Sequence, residues 1–182
     1  MKAVILTDEL KRLIKATAKF ISKDDNRHMQ QYIKLEFTHE GMQAKAVSCD
    51  GYRLSIENAK CFDVDESFTV FIKPYLPVGA NFEYATIELV DKRCLIDIGG
   101  RIVGYKQPDG NYMDINKAIE EIERFPVTHT VSVSQFFLLD ALNSIHKDSL
   151  HKNPAEIQLR GKIGAISIGS KDGIRYVLPV RR

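Results

Sequence analysis

Three stretches of the chain alternate apolar and polar residues with a period of two. They are residues 33–57 (IKLEF, then MQAKAVSCDGYRLSIE), 86–107 (TIELV, CLIDIGG, RIVGYKQ) and 156–180 (EIQLR, GAISIGSKDGIRYVLPV). Alternation sends one side of a strand into a core and the other into solvent. Each stretch reads as strand, short polar turn, strand, glycine-bearing turn, strand, which is an antiparallel meander. A helical pattern precedes two of the three. The first covers about Asp8 to Ile21, with Thr7 as N-cap, Asp8 and Glu9 in the first turn, and Leu10, Leu13, Ile14, Ala18 and Ile21 as one apolar stripe. Thr17 interrupts that stripe, but its hydroxyl can bond back to a carbonyl one turn earlier. The second runs from about Gln135 to His146 after Ser134 and is predicted to bury Leu138, Leu142 and Ile145. Before the middle meander the two prolines of FIKPYLPVGA allow a turn or two of helix at most. Strands at 68–72 and 131–133 complete a repeating unit of strand, helix and three strands. A further helical pattern near Asp114 to Arg124 links the second and third units. The predicted fold class is α+β with antiparallel sheets.

Composition narrows the reading without choosing a function. The 182 residues are 44% hydrophobic and 27% charged with a net charge of +2, an ordinary globular balance that argues against disorder. No apolar run approaches the ~18 residues of a membrane span, and the start lacks the apolar core of a secretory signal. Cys49, Cys61 and Cys94 show no CxxC spacing, which disfavours a disulfide framework or zinc site and suits a reducing cytosol. His28, His39, His129, His146 and His151 have no metal-ligand spacing, and Cys49 has no assignable base. The pair Gly99–Gly100 lacks the spacing of a nucleotide-binding loop. Asp114, Glu120, Glu121 and Glu123 read as a solvated helix face. No metal, no cofactor and no enzymatic activity are expected.

The first helix is asymmetric in charge. On a helical wheel Lys11, Arg12, Lys15 and Lys19 fill one arc of ~100° nearly opposite the apolar stripe, with Asp8 the one acidic neighbour. Such a face can meet phosphates without reading bases. Taken alone, the pattern favours a plain solvated face. The third helix shows Asp140, Asn143, Ser144 and Lys147 outward, a mixed set.

Several segments, in order along the chain, resemble bacterial sliding clamps, the beta subunit of DNA polymerase III. AVSCDGYRLSIE is similar to that family's ATDGHRLA-type turn. LKRLIKATAKFISKDDNR resembles the first helix and following loop of its middle domain. DGNYMDINKAI resembles its DG-x-(F/Y)-P-D-Y-x-x-V segment. VSVSQFFLLDALNSI and AISIGSKDGIRYVLPVRR resemble its last module. The resemblance implies a DNA clamp fold in which residues 1–124 form a two-module domain like the middle domain and residues 125–182 form a third module with a C-terminal tail. It also implies a reduced relative with about half the family's modules.

That resemblance carries functional expectations. Clamps encircle duplex DNA with helices lining a positive hole. Lys11, Arg12, Lys15 and Lys19 match the inner helix, so binding is expected to be sequence-independent and salt-sensitive. Clamps also take short peptide motifs of polymerases, loaders and repair proteins. Carried over by position, that groove would use Cys49, Gly51, Tyr52, Arg53 and Leu54, then Met113, Lys117 and Ala118, then Val177, Leu178, Pro179, Val180 and Arg181 of the tail. Met113 stands where the family has proline, Gln30 where leucine is typical, and Ala118 where a larger valine is typical. The implied function is a processivity factor that tethers replication or repair proteins to DNA in the cytoplasm, with no membrane partner. The alternative is a non-ring module that binds or competes for clamp-binding peptides. A homo-oligomer is expected, since rings of roughly twelve modules would need about four such chains, with orphan third modules paired across a twofold axis.

Overall fold

The structure is a computed structural model that describes residues 1–77, 82–128, 130–143, 156–159, 166–170 and 173–178. It divides into two compact units, Met1–Asp114 and Ile115–Arg182. The division falls ten residues before the boundary expected near 124, so the linking helix, α2 (Ile115–Glu123), belongs with the second unit. No described helix is long and apolar enough to cross a membrane.

The first unit contains β1 (Lys2–Leu6), α1 (Thr7–Thr17), β2 (Ile33–Thr38), β3 (Gln43–Cys49), β4 (Leu54–Val64), β5 (Phe68–Ile72), β6 (Tyr84–Val90), β7 (Arg93–Ile98) and β8 (Arg101–Lys106). Both predicted meanders are present, and every neighbouring pair is antiparallel. Alternation does what the sequence pattern demands: Ile33, Leu35 and Phe37 of β2 point into the core while Lys34 and Glu36 do not. The short helix expected before the middle meander is absent from residues 73–77; the rest of that stretch, 78–81, lies outside the described residues.

Strand order gives the unit its character. The eight-stranded sheet runs β5-β2-β3-β4-β1-β6-β7-β8. The first strand of each module therefore pairs with the second strand of the other: β1 with β6 (Ala3 opposite Ile87) and β5 with β2 (Leu35 opposite Val70). β1 also pairs with β4 of its own module. The equivalent pairing of β5 with β8 is made by a side chain. Pro108 follows Gln107 and has no N–H to extend a ladder. The Gln107 carboxamide instead accepts from Phe71 N (2.7 Å) and donates to Phe71 O (3.1 Å).

α1 packs its stripe onto this sheet. Leu10, Leu13 and Ile14 are buried with Ile5, Leu35 and Ile87, and Ala18 and Ile21 lie partly buried at the edge of the same core. The helix starts one residue earlier than predicted. Thr7 is the first helical residue rather than the cap; its N–H donates to Glu83 O (2.8 Å), and its hydroxyl is buried with no hydrogen-bond partner among the described residues. Thr17 bonds back to Leu13 O (2.8 Å) as anticipated, and the helix then tightens into a 3₁₀ turn at Ala18–Phe20. The three cysteines are free and buried, and burial pushes the Cys61 thiol up to about 11 and that of Cys94 up to about 12. Gly99 and Gly100 both have positive φ and form the tight β7–β8 turn, with Gly100 N bonding to Asp97 Oδ1 (2.8 Å).

The second unit contains α2, α3 (Gln135–Asn143), β9 (Glu156–Gln158), β10 (Ile166–Ser170) and β11 (Gly173–Val177), with the sheet ordered β11-β10-β9. The strand expected at 131–133 is reduced to a single bridge at Val133. Ile166, Ile168 and Val177 form a small core against Val131, Val133, Leu138 and Ala141. Leu142, predicted buried, is 39% exposed, and Ile145 lies outside the described residues.

Candidate nucleic-acid and peptide interfaces

The cationic arc of α1 is exposed at all four positions, but its members differ in freedom. Arg12 is committed to the sheet. Its guanidinium donates to Glu9 (2.8 Å), Glu57 (2.7 Å) and the carbonyl of Asn58 (2.6 Å). The bond and charge of Glu9, then those of Glu57, hold it above its ordinary value despite some desolvation. Lys11 sits 3.6 Å from Asp8. Lys15 and Lys19 have no carboxylate partner among the described residues, and Lys15 lies in the last helical turn, where the helix dipole favours a cation. Lys23, just beyond the 3₁₀ turn, is exposed as well and was not among the sequence candidates.

The β3–β4 hairpin end holds five of the peptide-site candidates, Gly51, Tyr52 and Arg53 in the loop and Cys49 and Leu54 at the strand ends. Asp50 organises it: its carboxylate accepts from Tyr52 N and Arg53 N (2.9 Å each) and from Arg53 Nε and Nη2 (2.9 and 2.6 Å). Desolvation works against the charge of Asp50. The Arg53 side chain and the two amides outweigh it, so the carboxyl titrates below its ordinary value. Gly51 has a φ of +89°, a conformation that favours glycine, and a Cβ there would displace the Arg27 guanidinium that braces the loop. Arg27 bonds to the Asp50 carbonyl and lies over the Tyr52 ring at 5.2 Å, while Arg53 lies over Phe20 at 5.3 Å. The loop is thus braced by a neighbouring turn, yet Tyr52 remains 85% exposed. Cys49 is buried beneath it and Leu54 half-buried.

Met113 belongs to the same unit. Gln30, the polar replacement, donates to Met113 Sδ at 3.8 Å. The Tyr112 ring lies 5.7 Å from Phe71, and burial, with a smaller contribution from Cys49, pushes its phenol up to about 12. Arg27 and Tyr112 were not among the sequence candidates: no local spacing links Arg27 to the loop it braces more than twenty residues away, whereas Tyr112 fills the aromatic place of the DG-x-(F/Y) segment and packs on Phe71 of β5.

The remaining peptide-site candidates lie in the second unit. Lys117 is exposed on α2 and Ala118 half-buried. Val177 is buried at the end of β11, and Leu178 beyond it is 72% exposed. Pro179, Val180 and Arg181 lie outside the described residues. Among the described residues no group of three His, Cys, Asp or Glu side chains is placed to hold a metal.

No family model and no curated protein matches the chain. Solved structures do. The DNA polymerase sliding clamp from Bacillus subtilis superimposes with a TM-score of 0.77 at 18% identity, over 98% of this chain and 49% of that one. The Helicobacter pylori beta clamp bound to a DNA ligase peptide gives 0.72 at 14% identity, over 98% and 49%. The DNA polymerase III beta clamp of Bartonella birtlesii bound to griselimycin gives 0.73 at 18% identity, over 100% and 52%. The chain has the DNA clamp fold and spans about half the length of the solved structures it matches.

Proposed function

We propose that this chain, which has the fold of bacterial sliding clamps in reduced form, is a DNA-tethering clamp rather than an enzyme and acts in the cytoplasm. The observation that carries this reading is the fold match over 98% of the chain to a DNA polymerase sliding clamp. α1 and the 3₁₀ turn that follows it supply the phosphate-facing cations, with Lys15 and Lys19 the principal pair, Lys11 secondary, and Arg12 mainly a brace between helix and sheet. Attraction to duplex DNA is electrostatic and carries no base code, so the protein holds the duplex while free to slide. The second role is docking of short peptides from polymerases, loaders or repair proteins. A relative solved with a DNA ligase peptide supports it. The braced loop bearing Tyr52 in the first unit and the exposed Leu178 in the second are the surfaces assigned to it.

The test is retention on circular against linear duplex DNA. Wild-type protein should remain on closed circles and leave linear molecules through their ends. A K11E/K15E/K19E variant should lose retention, and raised salt should do the same to the wild type. Retention unchanged by the triple variant would overturn the assignment of α1. The ion pairs of Lys11 and Arg12 favour a second reading, a peptide-binding module that does not retain DNA. Peptide binding without any difference between circular and linear DNA would select it.

A further inference from the structure

The stretch 131–142 repeats β1 and α1 at a constant shift, with Val131 and Val133 at the places of Ala3 and Ile5, and Leu138, Ala141 and Leu142 at those of Leu10, Leu13 and Ile14. In the first unit all five positions are buried. In the second unit four are half-buried and Leu142 is exposed. The cause lies in the strand order. β1 is flanked on one side by β4 of its own module and on the other by β6 of the second module. Val131 and Val133 pack on their own module's core, Ile166, Ile168 and Val177. Nothing among the described residues of this unit stands where β6 stands in the first.

β9 shows the complementary vacancy. Ile157 is opposite Ile168 just as Ile87 is opposite Ile96, so Ile157 holds the place of Ile87. Ile87 is fully buried by β1, whereas Ile157, on the outer strand of its sheet, is 57% exposed. α3 adds a third sign. Where α1 shows Asp8, Glu9 and Lys11 to solvent, α3 shows Phe136, Phe137 and Leu139, all exposed. Exposed apolar side chains on a helix and an open strand edge each mark an interaction face.

We propose that two copies of this chain join through their second units by reciprocal strand exchange, the 131–133 segment of each adding to the outer edge of β9 in the other. The module carries both halves of the joint that unites the two modules of the first unit, so the surface is self-complementary and closes with a twofold axis. By the register of Ala3 with Ile87, Val131 lies opposite Ile157 of the second copy. This specifies the joint behind the oligomer expected from the sequence and rests on the fold alone, not on DNA binding.

The experiment is done on the full chain without DNA. Light scattering should give the mass of two copies or an even multiple. A V131C/I157C variant should form a disulfide-linked dimer on oxidation, since antiparallel partners have Cα atoms roughly 4.5–5.5 Å apart, within disulfide reach. Neither single variant should cross-link to the same extent. A monomeric mass across the micromolar range would overturn the proposal, as would a folded double variant, checked by circular dichroism, that forms no intermolecular bond. A dimer that cross-links yet fails to stay on circular DNA would leave this joint standing and remove the clamp reading instead.

Discussion

β1 with α1, and the 131–143 stretch, follow one hydrophobic pattern and meet different surroundings. Leu10 is sealed between helix and sheet in a unit where a strand from another module flanks β1; Leu138, at the same place in the pattern, is only half covered. The pattern therefore states which residues seek burial, and strand partners from elsewhere decide which obtain it. Truncation should expose this difference most strongly. Leu10→Ala should cost about 3 kcal/mol, the usual price of a cavity in a closed core, and Leu138→Ala about 1 kcal/mol in dilute protein. Urea midpoints would read both. If the second units pair, the cost of Leu138→Ala should grow with protein concentration while that of Leu10→Ala stays fixed; equal costs at all concentrations would erase the distinction.

The same comparison can be drawn inside the first unit. β1 meets its own module's last strand through a backbone ladder, whereas β5 meets β8 through the single carboxamide of Gln107. Gln107→Ala should cost about 1–2 kcal/mol by stranding the N–H and carbonyl of Phe71. The lost protection should appear in amide exchange of β5 and not of β1. Uniform loss of protection would mean the two junctions are not separate.

The smallest effect concerns the hairpin turns. The β3–β4 turn is stapled by four bonds to the Asp50 carboxylate, whereas the β7–β8 turn combines two positive-φ glycines with one bond from Gly100 N to Asp97. Because the folded protein holds Asp50 below its ordinary value, its contribution is present in full above the unfolded carboxylate range and is lost as pH falls through the folded value. The stability gap between wild type and Asp50→Asn should be constant near neutrality and shrink below about pH 4. A gap that persists in acid would show that the charge plays no part.

Much of this was legible along the chain. Alternation at Ile33, Leu35 and Phe37 and the stripe at Leu10, Leu13 and Ile14 depend on residues near in sequence, and both are present; the helix read as far as Ile21 ends at Thr17, so Ala18 and Ile21 reach the core from beyond it. The exchange of β1 and β5 was not legible, because an alternating strand reads the same whichever strand lies beside it. The wheel grouped Arg12 with three lysines, yet Glu57 on β4 turns it to the sheet, a partner no helical spacing can reveal. Burial of Leu142 was overestimated for the reason that separates α3 from α1.

The exchange has a consequence for how the polypeptide is cut. β4 ends at Val64 and β5 begins at Phe68, so three residues tie the two modules covalently, while the joint itself is made by β1 on β6 and β5 on β2. A nick between Asp65 and Ser67 would break no rung of either pairing and would cost mainly the high effective concentration that the tether provides. Residues 1–65 and 66–114 are thus a natural pair for fragment complementation, each supplying the strand its counterpart lacks.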